Sequence, residues 1–162
     1  MRWIQTLREF VRSQPDVFRF LVFGFGGYIV WHLSYEEFLK PATLLDEYIT
    51  QNLIAVTEML MDFLGYEPLA FFQQNDGLFR YRVGIQGAQG VMVGPSCDGV
   101  VLFALFAIFI LSFPGRWIRK LWFIPLGIAA IHAANILRIV SLLLIQLYFG
   151  EDALKFNHDY TF

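Results

Sequence analysis

The chain has 162 residues, a single-domain length, with 57% hydrophobic and 18% aromatic residues, a formal net charge of −2 and one cysteine; its mean hydropathy is +0.53. That is too apolar for a soluble domain of this size, and its apolar runs reach the roughly 20 residues that a bilayer requires, which indicates an integral membrane protein. The charge balance offers no basic patch for nucleic acid, and a lone cysteine excludes an internal disulfide, a CxxC redox motif and a Cys-cluster zinc site, so no metal or cofactor is expected.

Residues 1–20 carry Arg2, Arg8, Arg12 and Arg19 among Trp3, Ile4, Leu7, Phe10 and Val11. Apolar residues at helical spacing predict an amphipathic helix on the cytoplasmic surface, because arginines beside a span stay inside. The first span is expected over residues 17–35, with Trp31 and Tyr35 in the outer aromatic belt. No small-x-small site follows it, so it is not a cleaved signal peptide.

Residues 36–96 form the least apolar part and are expected outside the cytoplasm. Residues 44–64 are helical in period, but Asp46, Glu47, Glu58 and Asp62 lie along them. Each acid costs about 2.5 kcal/mol or more at mid-membrane, so the segment reads as an amphipathic helix on the outer surface. Residues 79–85 alternate with period two, residues 86–90 form a turn and residues 91–93 resume, which predicts a small β-hairpin. Its Arg80 and Arg82 share one strand face, as either a solvated face or a peptide-binding edge that grips an extended substrate by strand addition.

Gly94-Pro95-Ser96-Cys97-Asp98-Gly99 then opens the second span, residues 97–113. A proline near a helix start and a serine able to cap it place Cys97 in the first turn, where free N–H groups and the helix dipole favour a thiolate. Residues 114–120 form a tight basic cytoplasmic loop, residues 121–149 the third span, and residues 150–162 an outer tail. The expected fold is therefore an all-α integral membrane bundle of at least three spans, with an extracytoplasmic amphipathic helix and a small hairpin.

Rising about 1.5 Å per residue from Leu121, the third span brings Arg138 to the outer interface, the face at which Cys97 opens the second span and beyond which His158 lies. A thiol, a guanidinium and an imidazole on one face suit acyl transfer. The imidazole takes the thiol proton and returns it to the leaving amine, while the permanently charged guanidinium steadies the thiolate, the oxyanion or a substrate carboxylate. Asp98 opposes a neighbouring thiolate unless it is paired, with Arg138 as the candidate partner. The plainer readings stand beside this one. Cys97 serves packing, Arg138 snorkels to headgroups, and His158 is a solvated surface residue. His32 competes as a base, His132 bonds between helices, and Asn135 bonds across to another helix.

Pro95-Ser96-Cys97-Asp98-Gly99, Asn135-Ile136-Leu137-Arg138-Ile139 and Asn157-His158-Asp159, in this order around the membrane, resemble the exosortase/archaeosortase family. The resemblance runs from about residue 84 to the end. It implies a membrane cysteine transpeptidase or protease acting on membrane-anchored proteins with a C-terminal sorting signal (a short motif, a transmembrane helix and a basic cluster). By the same resemblance Cys97 is the nucleophile, Arg138 the oxyanion or thiolate stabiliser and His158 the acid/base. Arg80, Arg82, Asn135 and Asp98 are candidate substrate contacts. The family's pattern has a small residue where this chain has Asp98, and a further span after the His. The expected setting is the cytoplasmic membrane, multi-pass, with the site facing outward; three spans are few to enclose it, so an oligomer is possible. The competing class is a non-catalytic subunit of a membrane complex, in which Arg138 and Asp98 form a structural ion pair. A transporter is disfavoured, since His132, Asn135 and Arg138 are the polar residues within the spans.

Overall fold

A computed structural model describes residues 11–39, 44–75, 78–88, 90–94 and 98–150. The elements are α1 (Pro15–Ser34), a π-helical extension (Tyr35–Leu39), α2 (Leu44–Phe63), β1 (Pro68–Asn75), β2 (Leu78–Ile85), β3 (Val91–Val93), α3 (Val100–Ser112) and α4 (Trp117–Phe149). They group into two compact units, Met1–Pro41 with Val101–Ala129, and Ala42–Val100 with Ala130–Phe162. Residues 1–10 of the surface helix expected over 1–20, and the whole tail 151–162, lie outside the described residues.

The first unit is made of apolar helices. Pro15 starts α1, where its missing N–H costs nothing, and Asp16 sits in the first turn. No residue of α1 is buried, and Phe23, Phe25, Val30 and Leu33 are exposed, as lipid-facing side chains are. Phe20 packs edge-on to Phe109 at 5.6 Å, and Phe109 on Phe113 at 5.0 Å, between ring centroids. Gly127 makes room for Phe106: a Cβ there would lie 2.2 Å from its ring. Among the described residues two helices are long and apolar enough to cross a bilayer, Pro15–Leu39 and Trp117–Phe149. α3 covers 13 residues, about 20 Å of rise against a hydrocarbon core of about 30 Å. The long helix begins at Trp117, earlier than expected, because the basic stretch is partly its first turn. Lys120 is buried there and donates from Nζ to the carbonyl oxygens of Leu111 (2.8 Å) and Phe113. It thereby satisfies acceptors that the end of α3 leaves open, and it lies 5.0 Å over the Trp117 ring.

The second unit packs a helix on a sheet. α2 buries Asp46, Thr50, Leu53, Ile54, Thr57 and Met61, one stripe at helical spacing, while Tyr48, Met59 and Phe63 are exposed. Leu53, Ile54 and Met61 join Val83, Ile85 and Val93 of the sheet and Ile136, Ile139, Val140 and Leu143 of α4 in one core. α2 is thus an amphipathic helix with its inner face on protein. Thr57, fully buried, returns its hydroxyl to the Leu53 carbonyl at 2.7 Å.

The expected hairpin is present, with Tyr81 opposite Val93 and Val83 opposite Val91, but it is part of a three-stranded antiparallel meander ordered β1-β2-β3. β2, which bears Arg80 and Arg82, is the central strand. At Tyr81, Arg82 and Val83 its backbone is paired on both sides, so Arg82 does not lie on an edge open to strand addition, whereas β3, the other strand of the expected hairpin, lies at the edge of the sheet. Arg82 is exposed and points away from the core face of Val83 and Ile85. The turn into β3 requires Gly90, whose φ is +86° and where a Cβ would stand 2.7 Å from the Val83 oxygen. Its N–H donates to Gln146 Oε1 at 3.0 Å.

Candidate active site

The sequence pattern expected Ser96 to cap the second apolar helix and Cys97 to occupy its first turn. Helix α3 instead starts at Val100, and the cap comes from Asp98. Asp98 Oδ1 accepts the Val100 N–H at 2.9 Å, satisfying one of the donors that a helix start leaves free. Cys97 and His158, the expected nucleophile and acid/base, lie outside the described residues.

Arg138 is described. It is half-buried on α4 and lines a small cleft of about 20 Å³ with Asn135, Ile139, Leu142 and the three residues of β3. One turn earlier, Asn135 Nδ2 donates to the backbone oxygen of Asp98 at 3.3 Å. The helix face carrying Arg138 and the residue next to Cys97 are therefore neighbours within one compact unit. Asn135 bonds to a loop, however, not to another helix as expected. His132 Nε2 and Asn52 Oδ1 are 2.9 Å apart, the interhelical hydrogen bond expected of that histidine. His32 stacks on Tyr28 at 5.8 Å.

Asp98 was the expected partner of Arg138, but Arg138 is not among the groups that bear on its carboxyl. Asp98 is 1% exposed, and its Oδ2 has no hydrogen-bond partner among the described residues. The charged side chain that bears on it is Asp46, in the first turn of α2 and 4% exposed. Burial foremost, opposed by the Val100 N–H and reinforced by the Asp46 charge, pushes the Asp98 carboxyl up to about 7. Asp98 precedes the apolar helix, so this shift belongs to the loop. Sequence reasoning counted Asp46 merely as one acid against a span. The signal that separates it is the Asp46, Thr50, Leu53, Thr57, Met61 stripe, which puts it on the inward face of its helix.

A family model described as Transmembrane exosortase (Exosortase_EpsH) matches residues 10–161. The chain belongs to the transmembrane exosortase family. No curated protein and no solved structure matches it. Membership agrees with the two long apolar helices in making this a membrane protein, and it suggests a membrane transpeptidase or protease.

Proposed function

We propose that this exosortase cleaves the C-terminal sorting signal of membrane-anchored proteins through a cysteine acyl-enzyme, at the outer face of the cytoplasmic membrane. The single observation that carries this reading is the Asn135–Asp98 hydrogen bond, which joins the turn before Arg138 to the residue after the only cysteine.

Cys97 Sγ gives its proton to the His158 imidazole and attacks the substrate carbonyl carbon. Arg138 stabilises the resulting oxyanion. The imidazolium then protonates the leaving amine as the C–N bond breaks, releasing the C-terminal helix and leaving a thioester. Water or an acceptor amine, deprotonated by His158, attacks that thioester, the C–S bond breaks to give an acid or a new amide, and the Cys97 thiolate it releases takes the proton back from the imidazolium. Helix α3 serves as a third crossing of the membrane in this scheme, with Asp98 in the loop at its outer end. The exposed strand face of Arg82, with Arg80 two positions earlier, receives polar parts of the substrate.

The test compares membrane proteomes of cells carrying the wild-type or Cys97→Ala protein. Proteins that keep their C-terminal helix only in the variant are expected, and their shared motif defines the substrate. Matching proteomes at equal protein abundance would overturn the proposal in favour of a structural subunit.

A further inference from the structure

The described arginines and lysine of the first unit gather beside two helix starts. Arg12 and Arg19 flank the start of α1, and Arg116, Arg119 and Lys120 that of α4, whereas Glu36 and Glu37 lie beyond the other end of α1. A cavity of about 360 Å³ opens there, and all its lining residues belong to this unit. That volume falls within the roughly 300–1,000 Å³ of small-molecule sites. Phe23, Gly27 and Ile108 form part of its apolar wall, with α1 and α3 so close that a Cβ on Gly27 would stand 3.0 Å from the Ile108 side chain. Its charged members are Asp16, Arg19 and Lys120.

We propose that this cavity holds the headgroup of an anionic phospholipid with a singly charged phosphodiester, of the phosphatidylglycerol kind. Arg19 donates to the phosphate oxygens, with the charge of Lys120 behind them. Asp16 accepts from the headgroup hydroxyls, and the glycerol ester stem lies against Phe23 and Ile108. The site stands apart from the peptide chemistry proposed above, and either reading can fail without the other.

Charge complementarity selects the occupant. Two cations against one carboxylate leave the lining with a single net positive charge, which matches a phosphodiester and repels a basic peptide. Among the described residues Arg19 forms no ion pair with Asp16, so its planar fork is open to phosphate oxygens. Lys120 spends two of its three N–H donors on the Leu111 and Phe113 carbonyls and keeps its charge. The apolar wall beside these charges suits an amphiphile rather than free phosphate. Trp117 lines the same cavity and is exposed, the side chain expected where a span meets headgroups. Basic pockets between spans at a membrane interface are where anionic headgroups dock.

The test follows thermal unfolding of the full chain in detergent while phosphatidylglycerol, phosphatidylethanolamine or phosphatidylcholine is added at increasing mole fraction. Wild type, Arg19→Gln and Arg116→Gln are compared. Arg116 is exposed beside the same helix starts but does not line the cavity, so both variants lose one positive charge and only one loses a phosphate ligand. Phosphatidylglycerol is expected to raise the unfolding temperature of wild type, and Arg19→Gln to need about tenfold more of it for half the effect. Arg116→Gln is expected to stay close to wild type. Equal losses in the two variants would overturn the cavity in favour of diffuse surface attraction. An equal response of wild type to phosphatidylethanolamine would overturn the anionic occupant in favour of a zwitterion bridging Arg19 and Asp16, and no response to any lipid would overturn the site. Should Arg19→Gln fail to fold, native mass spectrometry of wild type in equimolar phosphatidylglycerol and phosphatidylcholine decides. Preferential retention of phosphatidylglycerol supports the site, and equal retention refutes it.

Discussion

Asn135 Nδ2 holds the backbone oxygen of Asp98 across 37 positions of sequence, at 3.3 Å. An amide on α4 thereby fixes the height of the loop that leads out of Cys97, one turn from the guanidinium of Arg138. Replacing it with Ala removes a single neutral hydrogen bond, worth about 1 kcal/mol. Under the proposed acyl transfer the expected result is a protein of nearly normal thermal stability whose substrate processing falls about tenfold, since misplacing a nucleophile costs rate more than it costs fold. Thermal unfolding and processing, measured on the same preparation, separate the two.

Arg138 discriminates between stabilising an oxyanion and anchoring to lipid. Arg138→Ala is expected to lower the processing rate by about 10² to 10³, as loss of an oxyanion donor does. Arg138→Lys is expected to restore membrane insertion without restoring the rate, because an ammonium lacks the planar fork. A lysine variant with full activity would assign the position to headgroup contact.

Asp98 makes stability depend on pH in an unusual direction. Its carboxyl binds a proton more tightly in the folded state than in the unfolded chain, so folding gains stability below the ordinary carboxylate range and loses it as pH rises toward about 7. The unfolding temperature in detergent is expected to fall across that interval, and Asp98→Asn to flatten the slope. A stability that rises over the same interval in wild type, with no change in the variant, would show that the carboxyl is ionised throughout.

Lys120 closes α3 by donating to the carbonyl oxygens of Leu111, in its last turn, and of Phe113, just beyond it. Lys120→Met keeps the aliphatic stem and removes the donor, leaving those carbonyls to water. A loss of about 2 kcal/mol is expected from two charge-assisted bonds offset by relief of a cation at a helix start. It appears as a lower unfolding temperature with the apolar helices still inserted.

Much of the architecture was legible because it follows from periodicity. The run of residues 17–35, the helix over 44–64 and the β2–β3 hairpin each carry the period of their element. β1 was missed for a physical reason: Pro68-Leu69-Ala70-Phe71-Phe72-Gln73-Gln74-Asn75 does not alternate, although Asp76-Gly77 between Asn75 and Leu78 is a two-residue hairpin signal. The cap was misassigned to Ser96 because serine, aspartate and proline all compete near one helix start, and only tertiary burial decides among them. Asp98 was expected to meet Arg138 on charge alone. The sequence holds no hint that Asp46, 52 positions earlier, folds its carboxyl onto the same loop.

The bond between Asn135 and Asp98 also carries a consequence in time. Chains are made at about 5–20 residues per second, so the loop after Cys97 leaves the ribosome seconds before its anchor does. The meander and α2 draw on contacts close in sequence and are free to form at once. Ile136, Ile139, Val140 and Leu143 close the same core only later. The loop that carries Asp98 is synthesised early and anchored late, so a nascent chain holds this stretch before it has the residue that fixes it.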